Sequence, residues 1–156
     1  NIKFNSFSKN IEYQLISNAW INYMTAKCMS KNNTSGSIIQ IGSIYGHLAQ
    51  DINLYNKSSI ISENLTYTAI KGGITNFGKQ LASFYGRYNI RINTIASGGI
   101  KSKQDKNFIK QYSLKTPLKR MALPHEIASV VLFLSSTASS YITGETIVVD
   151  GGYSII

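Results

Sequence analysis

The sequence predicts an α/β fold in which helices flank a parallel β-sheet. Short β-branched runs alternate with longer stretches of helical periodicity, and the runs are apolar along almost their whole length. Continuously apolar strands are typical of parallel sheets, because helices cover both faces of such a sheet. The alternation of strand and helix then favours right-handed crossovers between neighbouring strands.

The first half of the chain predicts two helices separated by a strand. Apolar side chains recur at helical spacing over residues 11–30, and the polar run KNNTSG ends that helix. The stretch SIIQIG is β-branched and bounded by glycines, which predicts a buried strand. A polar loop over residues 43–63 leads to a helix over residues 64–86, for which Asn64 is the predicted N-cap.

The second half predicts two more strands around a further helix. The segment NIRINTI predicts a strand that SGG ends, and residues 101–120 form a basic, partly helical segment. A helix begins at Pro124, since proline is tolerated in a first turn, and Glu126 complements the positive end of its dipole. GETIVVDGG predicts the last strand and a tight turn.

Composition limits the classes of protein that this chain can represent. Its 156 residues are 43% hydrophobic and 15% charged, which suits one domain with a real core and excludes a disordered chain. The single cysteine, Cys28, excludes an internal disulfide and predicts a buried thiol in a reducing compartment. No apolar run reaches the roughly 18 residues of a membrane span, so we expect a cytoplasmic protein without a membrane partner.

The formal charge of +9 leaves two interpretations open. It reflects either a biased composition or an anionic partner, and an anion-binding module would bind polynucleotides with a steep salt dependence. Because no helix-turn-helix, zinc-finger or aromatic RNA-binding motif accompanies the charge, we predict no nucleic-acid partner. His47 and His125 lack partners at metal-ligand spacing, so we predict no metal site.

One pair of residues in the second helix indicates chemistry. Tyr67 and Lys71 are four positions apart, which puts them on one helix face with Cβ atoms about 5 to 6 Å apart. An ammonium about 5 Å from a forming phenolate stabilises it by roughly 3 kcal/mol at an effective dielectric near 20. Ser43 follows the first strand, at the edge of a parallel sheet where ligands bind. We therefore expect these three residues to meet in one active site.

Taken in order, the motifs GSIIQIGSIYG, YTAIK and NIRINTIASGGI resemble those of the short-chain dehydrogenase/reductases. The C-terminal stretches PLKRMALPHEIASVVLFLSS and SSYITGETIVVDGG resemble that family too, so the likeness covers nearly the whole chain. It implies a Rossmann-like parallel sheet with flanking helices, the C-terminal portion of a doubly wound fold. The chain begins at NIKFNSFSKN without methionine, and no glycine-rich dinucleotide turn follows any predicted strand. We therefore expect residues 1–156 to form a single partial domain whose dinucleotide-binding half lies outside this chain.

The resemblance also implies a reaction. It implies an NAD- or NADP-dependent oxidoreductase that interconverts a carbonyl and an alcohol by hydride transfer. Tyr67 would be the general acid/base, Ser43 would bind the substrate oxygen and Lys71 would hold the nicotinamide ribose. The family's catalytic asparagine best matches Asn18, which a cap or surface role explains equally well. The intact protein would be an enzyme and this chain alone inactive, whereas a catalytically inactive relative serving as a structural subunit is the alternative.

Further positions are implied to touch the cofactor or a second subunit. Gly98, Gly99 and Ile100 match the family's nicotinamide loop, although Ser97 stands where the family usually has proline. Ser102 takes the place of a hydroxyl that contacts the diphosphate, or is an ordinary loop serine. Two further residues, Gly72 and Gly73, allow the close helix packing that often forms a subunit interface, which implies a homodimer or homotetramer.

Two features bear on the substrate. Ser43 and Tyr67 are 24 residues apart, and the extra stretch HLAQDINLYNKSSIISENL resembles an insertion in enzymes of bacterial surface-sugar and flagellin modification. A loop beside the site is expected to shape substrate choice, so we predict a sugar or a nucleotide-linked sugar. The basic segment either attracts a phosphorylated substrate or is a solvated face; its cations are Lys101, Lys103, Lys106, Lys110, Lys115, Lys119 and Arg120.

Overall fold

The computed structural model describes residues 3–55 and 64–156 of the chain. Within them, three parallel strands lie in the order β1-β2-β3, which confirms the predicted parallel sheet. Cα partners run from Gly36 and Ile90 to Ile41 and Ile95 in the first pair. The strands are β1 (Gly36–Ile41), β2 (Ile90–Ser97) and β3 (Thr146–Val149). Residues 56–63 of the predicted insertion and the side chain of the predicted cap Asn64 lie outside the described residues.

Helices connect and flank the strands, as the sequence predicts. The described α-helices are α1 (Phe4–Asn10), α2 (Ser17–Lys31), α3 (Ile52–Tyr55), α4 (Asn64–Tyr85), α5 (Lys106–Leu114) and α6 (Pro124–Ser135). A π-helical stretch, Ile11–Ile16, joins α1 to α2. Short 3₁₀ turns follow at Ile44–Gly46, Gly86–Tyr88, Thr137–Ser139 and Tyr153–Ile155. Among these helices, none is both long and apolar enough to cross a membrane.

Successive residues of the strands supply two separate cores. Ile38, Ile90 and Ile92 pack with Leu81 and Tyr85 of α4 on one face of the sheet. On the other face, the core comprises Ile95, Ile127 of α6 and Leu134 of α6. Because neighbouring side chains of a strand point to opposite faces, both sets come from the same apolar runs. A third cluster, at the carboxyl edge of the sheet, joins α3 to α5 through Leu54 and Tyr112.

Close packing confirms the role predicted for Gly73. A Cβ at this position would lie 2.9 Å from Cδ1 of Leu15 in the π-helical stretch, so the absence of a side chain lets the two helices approach. The contact is made within this chain, and a subunit interface at Gly72 and Gly73 stays a prediction. The expectation for Cys28 was wrong, because its side chain is exposed on α2. Ala26 is the residue of α2 that is buried against the core.

Candidate active site

Ser43 lies two residues beyond β1, at the carboxyl edge of the sheet. Its backbone is extended, and its hydroxyl oxygen accepts a hydrogen bond from the N–H of Tyr45 at 3.2 Å. The bond caps the 3₁₀ turn Ile44–Gly46 and keeps the Ser43 side chain in place. The hydroxyl hydrogen remains available to donate, since this bond uses only a lone pair.

Tyr67 and Lys71 lie on one face of α4, as their spacing predicts. The Nζ atom of Lys71 is 5.4 Å from the centre of the Tyr67 ring. The ammonium also donates a hydrogen bond to the carbonyl oxygen of Ile41 at 3.2 Å, which holds it against the end of β1. Burial lowers the pKa of Lys71 below its ordinary value. Together, the helix and the strand end place a positive charge beside the phenol.

A cavity of about 340 Å³ brings two of the predicted catalytic side chains together. Ser43 and Tyr67 both line it, and Lys71 lies behind Tyr67 without lining it. The segment from Gly98 to Ile100 forms another wall. The remaining lining residues are Ile44, Tyr45, Gln50, Tyr55, Ser97, Gln104, Phe108, Tyr112 and Met121. The arrangement can present a hydroxyl donor and a phenol to one substrate oxygen.

The segment after β2 is held by backbone bonds and by a tyrosine that sequence reasoning missed. Gly98 donates to the carbonyl of Val149 at 2.9 Å, and Gly99 donates to the hydroxyl oxygen of Tyr112 at 2.6 Å. Burial raises the pKa of Tyr112 to about 12, although the Gly99 N–H opposes the shift. A Cβ at Gly99 would lie 2.7 Å from Cζ of Tyr112, so this approach requires glycine. Phe108 and Tyr112 are one turn apart on α5, and this spacing is the sequence pattern from which the buried helix face could have been predicted.

A second pair of tyrosines connects α3 to the loop that carries Ser43. The hydroxyl oxygens of Tyr45 and Tyr55 are 3.0 Å apart, within hydrogen-bonding distance. The ring of Tyr45 meets Tyr67 edge-on, with 6.5 Å between ring centres. Burial raises the pKa of both Tyr45 and Tyr55. The described part of the insertion therefore reaches the cavity through Tyr55.

Besides Lys71, two predicted site residues do not line this cavity. Asn18 is half-buried on α2, where its side-chain oxygen accepts a hydrogen bond from Nδ2 of Asn22 at 2.9 Å. Ser102 is exposed, and its N–H donates to Oε1 of Gln104 at 2.6 Å. A catalytic role for Asn18 and a diphosphate contact for Ser102 stay predictions.

The cationic side chains of the predicted basic segment also lie outside the cavity lining. Lys115 forms an ion pair with Asp51. Arg120 forms another with Glu126, in which the closest nitrogen and oxygen atoms are 2.6 Å apart. Five further lysines of the segment are exposed; they are Lys101, Lys103, Lys106, Lys110 and Lys119. Within residues 3–55 and 64–156, no group of three or more histidine, cysteine, aspartate or glutamate side chains could hold a metal ion.

Comparisons with known proteins show which proteins this chain resembles. A family model described as enoyl-(acyl carrier protein) reductase matches residues 1–154. The chain is 36% identical to a D-arabinitol 2-dehydrogenase (ribulose-forming) of Candida albicans, covering 86% of this chain and 47% of that protein. It is 37% identical to post-translational flagellin modification protein A of Campylobacter coli, covering 80% of this chain and 48% of that protein.

A solved structure matches the fold over nearly the whole chain. This is a short chain dehydrogenase from Leptospira borgpetersenii with bound NAD+, which superposes with a TM-score of 0.88 at 33% identity. The match covers 98% of this chain and 58% of that one. The chain thus spans about half the length of the curated relatives it matches.

Proposed function

Since this chain belongs to the short-chain dehydrogenase/reductase family, we propose that the complete protein containing it is an oxidoreductase that interconverts a carbonyl and an alcohol. The family uses NAD or NADP. The observation that carries the proposal is the meeting of Ser43 and Tyr67 on one cavity, with the ammonium of Lys71 directly behind the phenol.

The donors around this cavity fit a nicotinamide nucleotide. Lys71 has two N–H groups beyond the one that binds Ile41, and the Tyr67 hydroxyl has no hydrogen-bond partner among the described residues. Lys71 can donate to ribose hydroxyl groups, and the Tyr67 oxygen can accept a hydrogen bond from one of them while its single hydrogen serves the substrate. The backbone of Gly98 to Ile100 would face the carboxamide. When bound, the nicotinamide donates or accepts the hydride at the reacting carbon.

The side chains of this chain handle the oxygen and its proton. In the reducing direction, the Ser43 hydroxyl donates a hydrogen bond to the substrate carbonyl, and Tyr67 transfers its proton to the same oxygen. The carbon–oxygen double bond becomes a single bond, and the phenolate that remains is stabilised by Lys71. In the oxidising direction the phenolate takes the proton back. Positioned proton transfer of this kind accelerates reactions about 10² to 10⁴-fold.

We further propose how the activity is divided along the complete protein. Because the chain spans about half of its relatives and has no glycine-rich dinucleotide turn, the diphosphate would be bound by sequence outside it, and this chain alone would be inactive. Relatives named for D-arabinitol oxidation and for flagellin modification support a sugar or nucleotide-linked sugar as the substrate. A homo-oligomeric assembly and a cytoplasmic location stay predictions.

The test is turnover by the complete protein, followed through the absorbance of reduced nicotinamide. Tyr67→Phe should lower kcat about 10² to 10⁴-fold, because the phenylalanine ring cannot transfer a proton. Tyr141→Phe is the matched control, since Tyr141 is exposed and lies outside the cavity lining. Full turnover by Tyr67→Phe would contradict the proposal. No turnover by the wild type with either dinucleotide would favour the inactive structural relative.

A further inference from the structure

The described lining of the cavity beside Ser43 and Tyr67 is polar but uncharged. Every described residue that lines it is apolar, aromatic, a glycine, a serine or a glutamine. A phosphate or carboxylate near the reacting carbon would lose its hydration there without meeting a lining cation, which costs several kcal/mol for an unpaired charge. The exposed lysines of the basic segment do not change this, because none of them lines the cavity. The lining therefore favours a substrate that is neutral around the reacting carbon.

Half of the eight polar side chains in the described lining have their hydrogen-bonding groups satisfied by the protein. The hydroxyl groups of Tyr45 and Tyr55 bond to each other, and the Tyr112 hydroxyl accepts from the N–H of Gly99. The Gln104 carboxamide accepts from the N–H of Ser102 and donates to the carbonyl of Ile100. Ser43, Tyr67, Ser97 and Gln50 keep hydrogen-bonding capacity. Ser43 and Tyr67 are assigned to the reacting oxygen, and Ser97 adjoins the segment assigned to the carboxamide. Gln50 is therefore the lining residue that is available to bind the rest of the substrate.

The chemistry of Gln50 matches a hydroxyl group. A carboxamide donates through its nitrogen and accepts through its oxygen, as a hydroxyl also does. Gln50 is half-buried, seven residues after Ser43, and no described residue forms a hydrogen bond with its side chain. Aromatic rings of Tyr45, Tyr55 and Phe108 supply apolar faces to the same cavity. This mixture suits a molecule that carries hydroxyl groups on a short carbon frame, and the volume of about 340 Å³ suits a small one.

We propose that the substrate is an uncharged polyol or sugar at its reacting end, and that Gln50 determines specificity by binding a hydroxyl group other than the one that reacts. The proposal rests on the oxidoreductase activity proposed above. The proposal restricts the expected sugar substrates to those with no phosphate or carboxylate inside the cavity. A nucleotide or phosphate farther along the substrate would lie outside the cavity.

The experiment compares three alcohols with the complete, dinucleotide-loaded protein: a pentitol, a monohydroxy secondary alcohol and a phosphorylated pentitol. The wild type should show a kcat/KM at least tenfold higher on the pentitol than on the phosphorylated form. Gln50→Leu should raise the KM for the pentitol about tenfold or more, because a site built to bind a hydroxyl loses that bond. It should change turnover of the monohydroxy alcohol less than twofold. Gln111→Leu, at an exposed glutamine of α5, should change neither.

Each other outcome counts against the proposal. Preference for the phosphorylated pentitol, or an equal loss on both neutral alcohols in Gln50→Leu, would overturn it and leave the proposed function intact. If Gln50→Leu does not fold, judged by circular dichroism, Gln50→Met has nearly the same shape as glutamine and carries the same expectation. Absence of turnover on all three alcohols and on the corresponding ketones would overturn the proposed function and this inference together.

Discussion

Replacing Lys71 by methionine would remove the charge behind Tyr67 and keep most of the length of the side chain. The ammonium lies 5.4 Å from the centre of the tyrosine ring, over which a phenolate shares its charge. At an effective dielectric near 20, two unit charges at that separation attract each other by about 3 kcal/mol. Each 1.36 kcal/mol is tenfold in rate. We therefore expect kcat of the complete protein to fall about 100-fold in Lys71→Met.

The assay follows reduced nicotinamide at saturating dinucleotide and substrate. Saturation matters because Lys71 is also expected to bind the ribose, so the KM for the dinucleotide should rise in the variant. Lys79→Met is the matched control, since Lys79 is exposed two turns farther along α4. Lys71→Arg keeps the charge and should recover part of the loss. A kcat of Lys71→Met within threefold of the wild type would refute the electrostatic reasoning.

Two further predictions concern stability. Gly78→Ala should lower the free energy of unfolding by about 1 to 3 kcal/mol, because its Cβ would lie 2.2 Å from Oε1 of buried Gln40. Gly86→Ala is the control: its Cβ would meet nothing within 4 Å, so it should change the free energy of unfolding by less than about 0.5 kcal/mol. If urea denaturation shows equal losses of stability in the two variants, the close packing of Gly78 against Gln40 is contradicted. The hydrogen-bonded guanidinium of Arg120 lowers the pKa of Glu126 from 4.5 to about 2, so this carboxylate stabilises the fold above about pH 4.5 and loses that effect as the pH falls toward 2. The difference in melting temperature between the wild type and Glu126→Gln should shrink over that range, and a constant difference would speak against the ion pair.

The strands and the main helices could be predicted because their residues repeat with the period of the element. The β-branched runs became β1, β2 and β3, and Pro124 begins α6. The extent of the first helix was not predictable in the same way. No residue of α1 is buried, and α3 has only four residues. Cys28 was misplaced because composition alone does not show which side of α2 meets the core.

The pairing of Tyr67 with Lys71 was determined by the sequence alone, since four residues on a helix place two side chains on one face whatever surrounds them. The position of Ser43 after a strand was determined in the same local way. Only the tertiary structure decided that Tyr112 would hold Gly99, and that Gln50 would line the cavity without a hydrogen-bond partner among the described residues. Those relations depend on how α3 and α5 pack at the edge of the sheet, and packing between distant segments leaves no fixed spacing in the chain.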